Sequence, residues 1–287
     1  METVDLLSKV RKIEIKTKKI TNHLFTGQYN SAFKGKGMTF SEVRKYVPGD
    51  DVRDIDWNVT AKLSEPYVKV FEEERELSMI LLVDVSASCL FGSGRMSKKD
   101  IITEICAILS FSAIQNNDKV GVIFFAEDIE LFIPPKKGKK HILRIIRELI
   151  HFQPKSKTTN ISKACKFFNN VIKKKSIVFV LSDFIDTDFK NSISFIAKKH
   201  DLNGIRIFDY FEHNPFSFGL TLFFDPEDES YHWVDTSSRQ VKKNIQKIYD
   251  EKAAYFKEAF LKNNASSVSL SAQDSHVVKL LELFHKK

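Results

Sequence analysis

Asp84, Ser86 and Ser88 alternate directly after the apolar run 79–83, and Asp183 follows Ser182 at the end of a second apolar run, 178–181. On extended backbone every second side chain points the same way, so the first three residues would present oxygens to one side over a short distance. If the two runs are parallel neighbours, Asp84 and Asp183 leave the same edge of a sheet, at the carboxyl end where open α/β sheets bind ligands. Thr158-Thr159-Asn160, just before a helical pattern opening at Ile161, adds hydroxyls from a third direction. Two carboxylates and three hydroxyls, with no His or Cys among them, form a hard donor set that suits Mg²⁺ or Mn²⁺ better than Zn²⁺. With the hydroxyls as direct ligands and the aspartates acting through water, such an ion keeps most of its charge and an open position. A carboxylate from another protein would fill it. The plainer alternative is that Ser86 and Ser88 cap a helix and Asp183 sits in a turn.

The elements that must position these residues are legible in the hydrophobic pattern. Charge at Glu72, Glu73, Glu74, Arg75 and Glu76 precedes the run 79–83, and small polar residues follow it. Such a run reads as a strand buried on both faces. Helical spacing of Ile101, Ile105, Ile108 and Leu109 predicts a helix over 97–116, and strands follow over 120–125 and 129–133. Helices over 139–152 and 161–173, a strand over 176–181, a helix to about 199 and a strand over 204–208 continue the alternation. A ribbon over 216–234, a long helical segment over 238–263, a short strand over 267–270 and a last helix complete it. Strands alternating with helices imply an α/β fold: a doubly wound, mostly parallel, Rossmann-type sheet with a small N-terminal β-rich extension.

In that extension, Pro48-Gly49 suits the centre of a type II turn presenting Asp50 and Asp51 beside Arg44, Lys45 and Arg53. Two readings compete for the stretch through Asp54, Asp56 and Trp57. In one, the carboxylates pair with arginines and cap the next helical turn. In the other, Asp50, Asp54 and Asp56 build a second metal site or, with Asp51, Arg53 and Trp57, a partner-docking surface. An EF-hand is excluded, because the Asp-x-Asp-x-Asp-Gly register is absent.

Composition narrows the classes. The chain has 287 residues, 43% hydrophobic, enough for one large domain or a domain plus a small one. Its net charge of +8 is spread along the chain with clusters at 136–140 and 173–175, which reads as solvated lysine faces, and nucleic acid is not expected. Cys89, Cys106 and Cys165 are too far apart for a metal knuckle or redox pair and read as reduced and structural. No basic leader and no apolar run near 18 residues is present, so a cytoplasmic protein without a membrane span is expected. A divalent-metal-dependent hydrolase or phosphatase is the alternative function, but no Gly-x-Ser-x-Gly elbow or phosphate-binding loop ending in Gly-Lys-Ser/Thr occurs. The chain is therefore read as a non-enzymatic binding module, with no catalytic residues assigned.

Asp84-x-Ser86-x-Ser88, Thr159-Asn160-Ile161 and Ser182-Asp183 resemble the metal-ion-dependent adhesion site of von Willebrand factor A domains. The upstream Gly-x-Gly, Arg44-Lys45-Tyr46, Pro48-Gly49-Asp50-Asp51-x-Arg53-x-Ile55-Asp56-Trp57 and Asp209-x-x-Glu212 resemble the bacterial domain-of-unknown-function family number 58. The resemblance implies an N-terminal region over 1–75 and a von Willebrand factor A-like domain over 76–287 with a ribbon insertion near 212–235. It also implies Ser86, Ser88 and Thr159 as direct ligands of Mg²⁺ or Mn²⁺, with Asp84 and Asp183 water-mediated or outside the ligand shell. Cys89 stands where such proteins usually carry Met and is expected to affect packing more than metal. The implied partner is a protein offering an acidic residue, a MoxR-type AAA+ ATPase, in maturation of complexes or metal centres or in stress tolerance.

Overall fold

The structure is a computed structural model that describes residues 12–13, 38–73, 77–94, 96–186, 188–213, 217–224 and 230–285. The helix-to-strand start expected over 1–20 lies outside these, apart from helical Lys12 and Ile13. In chain order the strands are β1 (Met38–Lys45), β2 (Tyr67–Glu73), β3 (Ser78–Asp84), β4 (Lys119–Phe125), β5 (Ile129–Lys136) and β6 (Ile177–Ser182). β7 (Asp201–Ile207), β8 (Leu220–Phe224), β9 (Tyr231–Asp235) and β10 (Ser266–Leu270) follow. The helices are α1 (Trp57–Leu63), α2 (Lys98–Gln115), α3 (Lys139–His151), α4 (Ile161–Val171), α5 (Lys190–Ala197), the short α6 (Tyr210–His213), α7 (Arg239–Leu261) and α8 (His276–His285).

Six strands form one sheet in the order β10-β7-β6-β3-β4-β5. All pairings are parallel except β4 with β5. The fold is the expected doubly wound, mostly parallel α/β fold, with β3 in the interior of the sheet. Period-two alternation along β3 sorts its side chains between two cores. Met79, Leu81 and Val83 join α2, α3 and α8 on one face, and Ile80 and Leu82 join α4, α5 and α7 on the other. Helix α2 is buried on nearly every side, which is why its sequence is apolar all round rather than striped.

Two strands run longer than their apolar cores suggest. β7 begins at Asp201 because Asp201, Leu202 and Asn203 pair with Ile177, Val178 and Phe179. β5 carries on through Pro134 and Pro135 because it is an edge strand, where a missing N–H is tolerated. β1 and β2 make a separate antiparallel pair, and β8 and β9 another. Among the described residues no helix is long and apolar enough to cross a membrane.

Gly204 lets α7 lie against β7. A Cβ at that position would sit 2.5 Å from Phe260 Cζ and 2.6 Å from Cε1, inside contact distance. Gly204→Ala is therefore expected to cost about 1–3 kcal/mol by overpacking. Chemical denaturation would measure it, and pairing the change with Phe260→Leu should recover part of the loss.

Candidate metal centre

Val83 of β3 pairs with Leu181 of β6, so Asp84 and Asp183 leave neighbouring parallel strands side by side. The extended alternation expected through Ser88 is replaced by a turn. Asp84 Oδ1 accepts from Ser86 N at 2.9 Å, and Ala87–Leu90 form a 3-10 turn. The turn still delivers what alternation would have, placing Ser86 Oγ and Ser88 Oγ 3.1 Å apart. Ala87 N donates to Lys157 O at 3.0 Å and Asn160 N to Ala126 O at 2.9 Å, which pins the threonine loop against the serine turn. The two threonines then separate. Thr159 Oγ1 is buried with no hydrogen-bond partner, whereas exposed Thr158 donates to Glu127 Oε2 at 3.3 Å.

Both carboxylates are buried. Asp84 Oδ2 accepts from Ser182 Oγ at 2.5 Å. Burial and then the neighbouring Asp183 charge push the Asp84 carboxyl up to about 7, against the Ser182 and Ser86 hydrogen bonds that favour its ionised form. Asp183 uses Oδ2 to accept from Lys98 Nζ at 2.9 Å, and its Oδ1 is buried without a partner. Lys98, 1% exposed, also donates to Glu212 Oε1 at 2.7 Å. Burial works to discharge this ammonium, but Asp183 and Glu212 outweigh it and hold its pKa above that of an ordinary lysine. Glu212 Oε2 accepts from Asp209 N at 3.2 Å, and Asp209 accepts from Ser93 N at 2.8 Å and from Ser93 Oγ.

Lys98 and Glu212 received no role from the sequence. The signal for Lys98 was a cation at the first position of an 18-residue helix, where the macrodipole disfavours it unless carboxylates hold it. Cys89 packs in the apolar core, as its expected packing role implies, and also lies close to the two carboxylates. Its Sγ and oxygens of Asp84 and Asp183 lie within 4.8 Å of one another, so the sulfur faces the cup as well as the core. Burial and both carboxylates raise its pKa well above the ordinary thiol value and keep it protonated.

The Pro48 turn forms as expected, with Asp50 N donating to Val47 O at 3.0 Å and Gly49 at φ 114°. Asp50 takes a bidentate grip from Arg44, both bonds 2.7 Å, and Asp51 pairs with Arg53 at 2.7 Å. Lys45 turns instead to Glu65. Asp56 caps α1, accepting from Asn58 N at 3.0 Å and Val59 N at 3.2 Å. Asp50, Asp51 and Asp56 are thus used internally, as ion pairs and a cap, and among the described residues Asp50, Asp54 and Asp56 are not gathered into a second cation site. Trp57 stands 67% exposed beside them, near exposed Val52 and Leu63 in sequence.

The sequence profile of the family described as "Protein of unknown function DUF58" matches residues 42–255. The chain belongs to the DUF58 family. Among its relatives, uncharacterized protein Rv1480 of Mycobacterium tuberculosis is 26% identical over 207 residues, 71% of this chain and 65% of that protein. The DUF58 chain thus spans a little under two thirds of that relative's length. Uncharacterized protein YeaD of Bacillus subtilis is 27% identical over 109 residues, 38% of this chain and 25% of its own. Solved structures with similar folds include an aerotolerance-related membrane protein of Bacteroides fragilis, with TM-score 0.49, 13% identity, and coverage of 74% of this chain and 100% of that one. The VWA domain of SpRpn10 has TM-score 0.42, 8% identity, and coverage of 74% and 95%.

The cup fits a hard divalent cation. Cis ligands on an octahedral Mg²⁺ with bonds of about 2.1 Å lie roughly 3.0 Å apart, close to the serine spacing. Asp183 Oδ1 and Thr159 Oγ1, buried and unpartnered, are the oxygens a cation would satisfy.

Two outcomes follow from this geometry. Lys98→Met leaves Asp183 buried without its counter-ion and should destabilise the fold by about 3–5 kcal/mol in urea titration. The second concerns pH. A carboxyl whose pKa is higher folded than unfolded contributes stability that is present below about pH 4 and lost as pH rises toward 7. His200, held low at about 4 by burial and by Lys199, acts in the opposite sense, losing stability as pH falls from 6.5. In EDTA the stability difference between wild type and Asp84→Asn, which cancels His200, should therefore decline from pH 4 to 7. Added Mg²⁺ should raise the wild-type Tm more at pH 8 than at pH 5.5.

Proposed function

We propose that this DUF58 chain is a non-enzymatic interaction module whose Ser86, Ser88 and Thr159 hydroxyls hold Mg²⁺ or Mn²⁺ for an acidic side chain of a partner protein. The observations that support the reading are the serine pair at the sheet's carboxyl edge and two buried, unpartnered oxygens, Asp183 Oδ1 at the end of the neighbouring strand and Thr159 Oγ1 on the loop that Lys157 ties to the serine turn. Neutral hydroxyls leave the ion's charge largely uncompensated, and Lys98 already offsets one of the two aspartates. A ligand carboxylate completes the charge balance. Exposed Leu90 and Phe91, which follow directly on the serine turn, give the partner apolar contact around the charged centre. Trp57 is a further partner contact, an exposed aromatic on a motif in which Asp50, Asp51 and Asp56 are engaged internally. The partner class implied by the family resemblance is a MoxR-type AAA+ ATPase, with the chain serving as an adaptor in the cytoplasm.

Isothermal titration should detect divalent-ion binding by the wild type, weakened at least tenfold in Ser86→Ala/Ser88→Ala. Capture from source lysate in Mg²⁺ should retain an ATPase that EDTA releases, and Trp57→Ala should weaken capture without altering metal affinity. An absence of any divalent-ion binding, together with capture indifferent to EDTA and to the serines, would overturn the proposal.

A further inference from the structure

The β8–β9 ribbon carries an apolar face that nothing among the described residues covers. Cross-strand pairing sets Leu222 opposite Trp233 and Phe224 opposite Tyr231, with Leu220 next along the same face. Together with Phe218 these six side chains are each 45–68% exposed. The other face is the one used within the chain, where Phe223 meets Phe211 with ring centroids 6.1 Å apart. A two-stranded ribbon is marginal in water without a covered hydrophobic face, and an apolar patch of this size marks an interface.

Charge indicates what covers it. Residues 214–238 contain five acids (Asp225, Glu227, Asp228, Glu229, Asp235) and no Lys or Arg. They therefore carry −5 of a chain whose net charge is +8, and the remaining residues carry +13. The start of α7, which follows the ribbon directly, presents Arg239, Lys243 and Lys247 to solvent beside half-exposed Ile248. An acidic, aromatic ribbon attached to a basic body complements another copy of the same body. With aromatic side chains burying about 150–250 Å² each, the exposed ribbon face amounts to roughly 700 Å². Two such faces meet the roughly 1,200–2,000 Å² total of a stable interface.

We infer that the ribbon is a homodimer interface, in which each copy's Leu220, Leu222, Phe224, Tyr231 and Trp233 pack on its partner in a two-fold contact that sets acidic ribbon against basic α7. A two-fold axis makes such a contact reciprocal and closed. The inference does not depend on the metal cup.

Analytical ultracentrifugation of the full chain at 1–100 µM (about that range) tests it. The expected result is a species of twice the 33.1 kDa chain mass. Leu222→Ser/Trp233→Ser, with the fold confirmed by circular dichroism and unchanged thermal melting, should raise the dimer dissociation constant by roughly 100-fold or more. Lys243→Glu/Lys247→Glu should weaken the dimer less, and by an amount that shrinks as salt rises. A wild type that stays monomeric throughout overturns the inference. So does a dimer that persists unchanged in Leu222→Ser/Trp233→Ser. A monomer that binds vesicles of phosphatidylglycerol and phosphatidylcholine through the ribbon would reassign the face to a lipid surface.

Discussion

Lys98 is buried at the first turn of α2, gripping Asp183 and Glu212 with one ammonium, and three separate parts of the chain meet on that contact. A charge taken out of water at a helix N-terminus is disfavoured by desolvation and by the macrodipole together. Two carboxylates at hydrogen-bond distance reverse that balance, and the reversal works only if both are brought to the same point. Asp183 arrives from the end of β6 and Glu212 from the segment after β7. The Asp209 link to Ser93 closes the circuit onto the loop that precedes α2. The sheet edge is therefore fixed by a network of charges as well as by the two apolar cores beneath it.

That network sets the electrostatics of the cup. The Asp183 charge opposes ionisation of Asp84, and Lys98 hydrogen-bonds on the Asp183 side only. Asp84 is left with hydroxyl and backbone donors, and its carboxyl is correspondingly pushed up. In the proposed reading, a dication at the serines would offset what a single lysine leaves over, because it favours carboxylates in their charged form. Cys89 adds a protonated sulfur beside these oxygens, a softer group than the rest of the set.

The peripheral elements follow a different logic. In the N-terminal unit, polar groups are satisfied locally: Asp50 by Arg44, Asp51 by Arg53, Asp56 by the α1 backbone. What remains outward is Trp57. In the ribbon, one face is spent against Phe211 and the other left in solvent. Both units are too thin to bury their own apolar residues, which leaves these aromatics in solvent.

The sequence by itself determined the alternation of strand and helix, the doubly wound sheet, and the placing of Asp84 and Asp183 at the ends of two buried strands. These are properties of local hydrophobic period and of where apolar runs stop, and both are written in short stretches of chain. It also determined the Pro48-Gly49 turn, because the backbone conformation there is imposed by those two residue types. Tertiary structure decided the rest. The polar start of β7 became strand only because β6 supplied partners, and Thr159 was distinguished from Thr158 only by which hydroxyl the fold buried. Lys98, Glu212 and Cys89 joined the site through contacts reaching as far as 114 residues along the chain. No local period encodes such contacts: their energy comes from removing water around charges that meet only once the chain has folded.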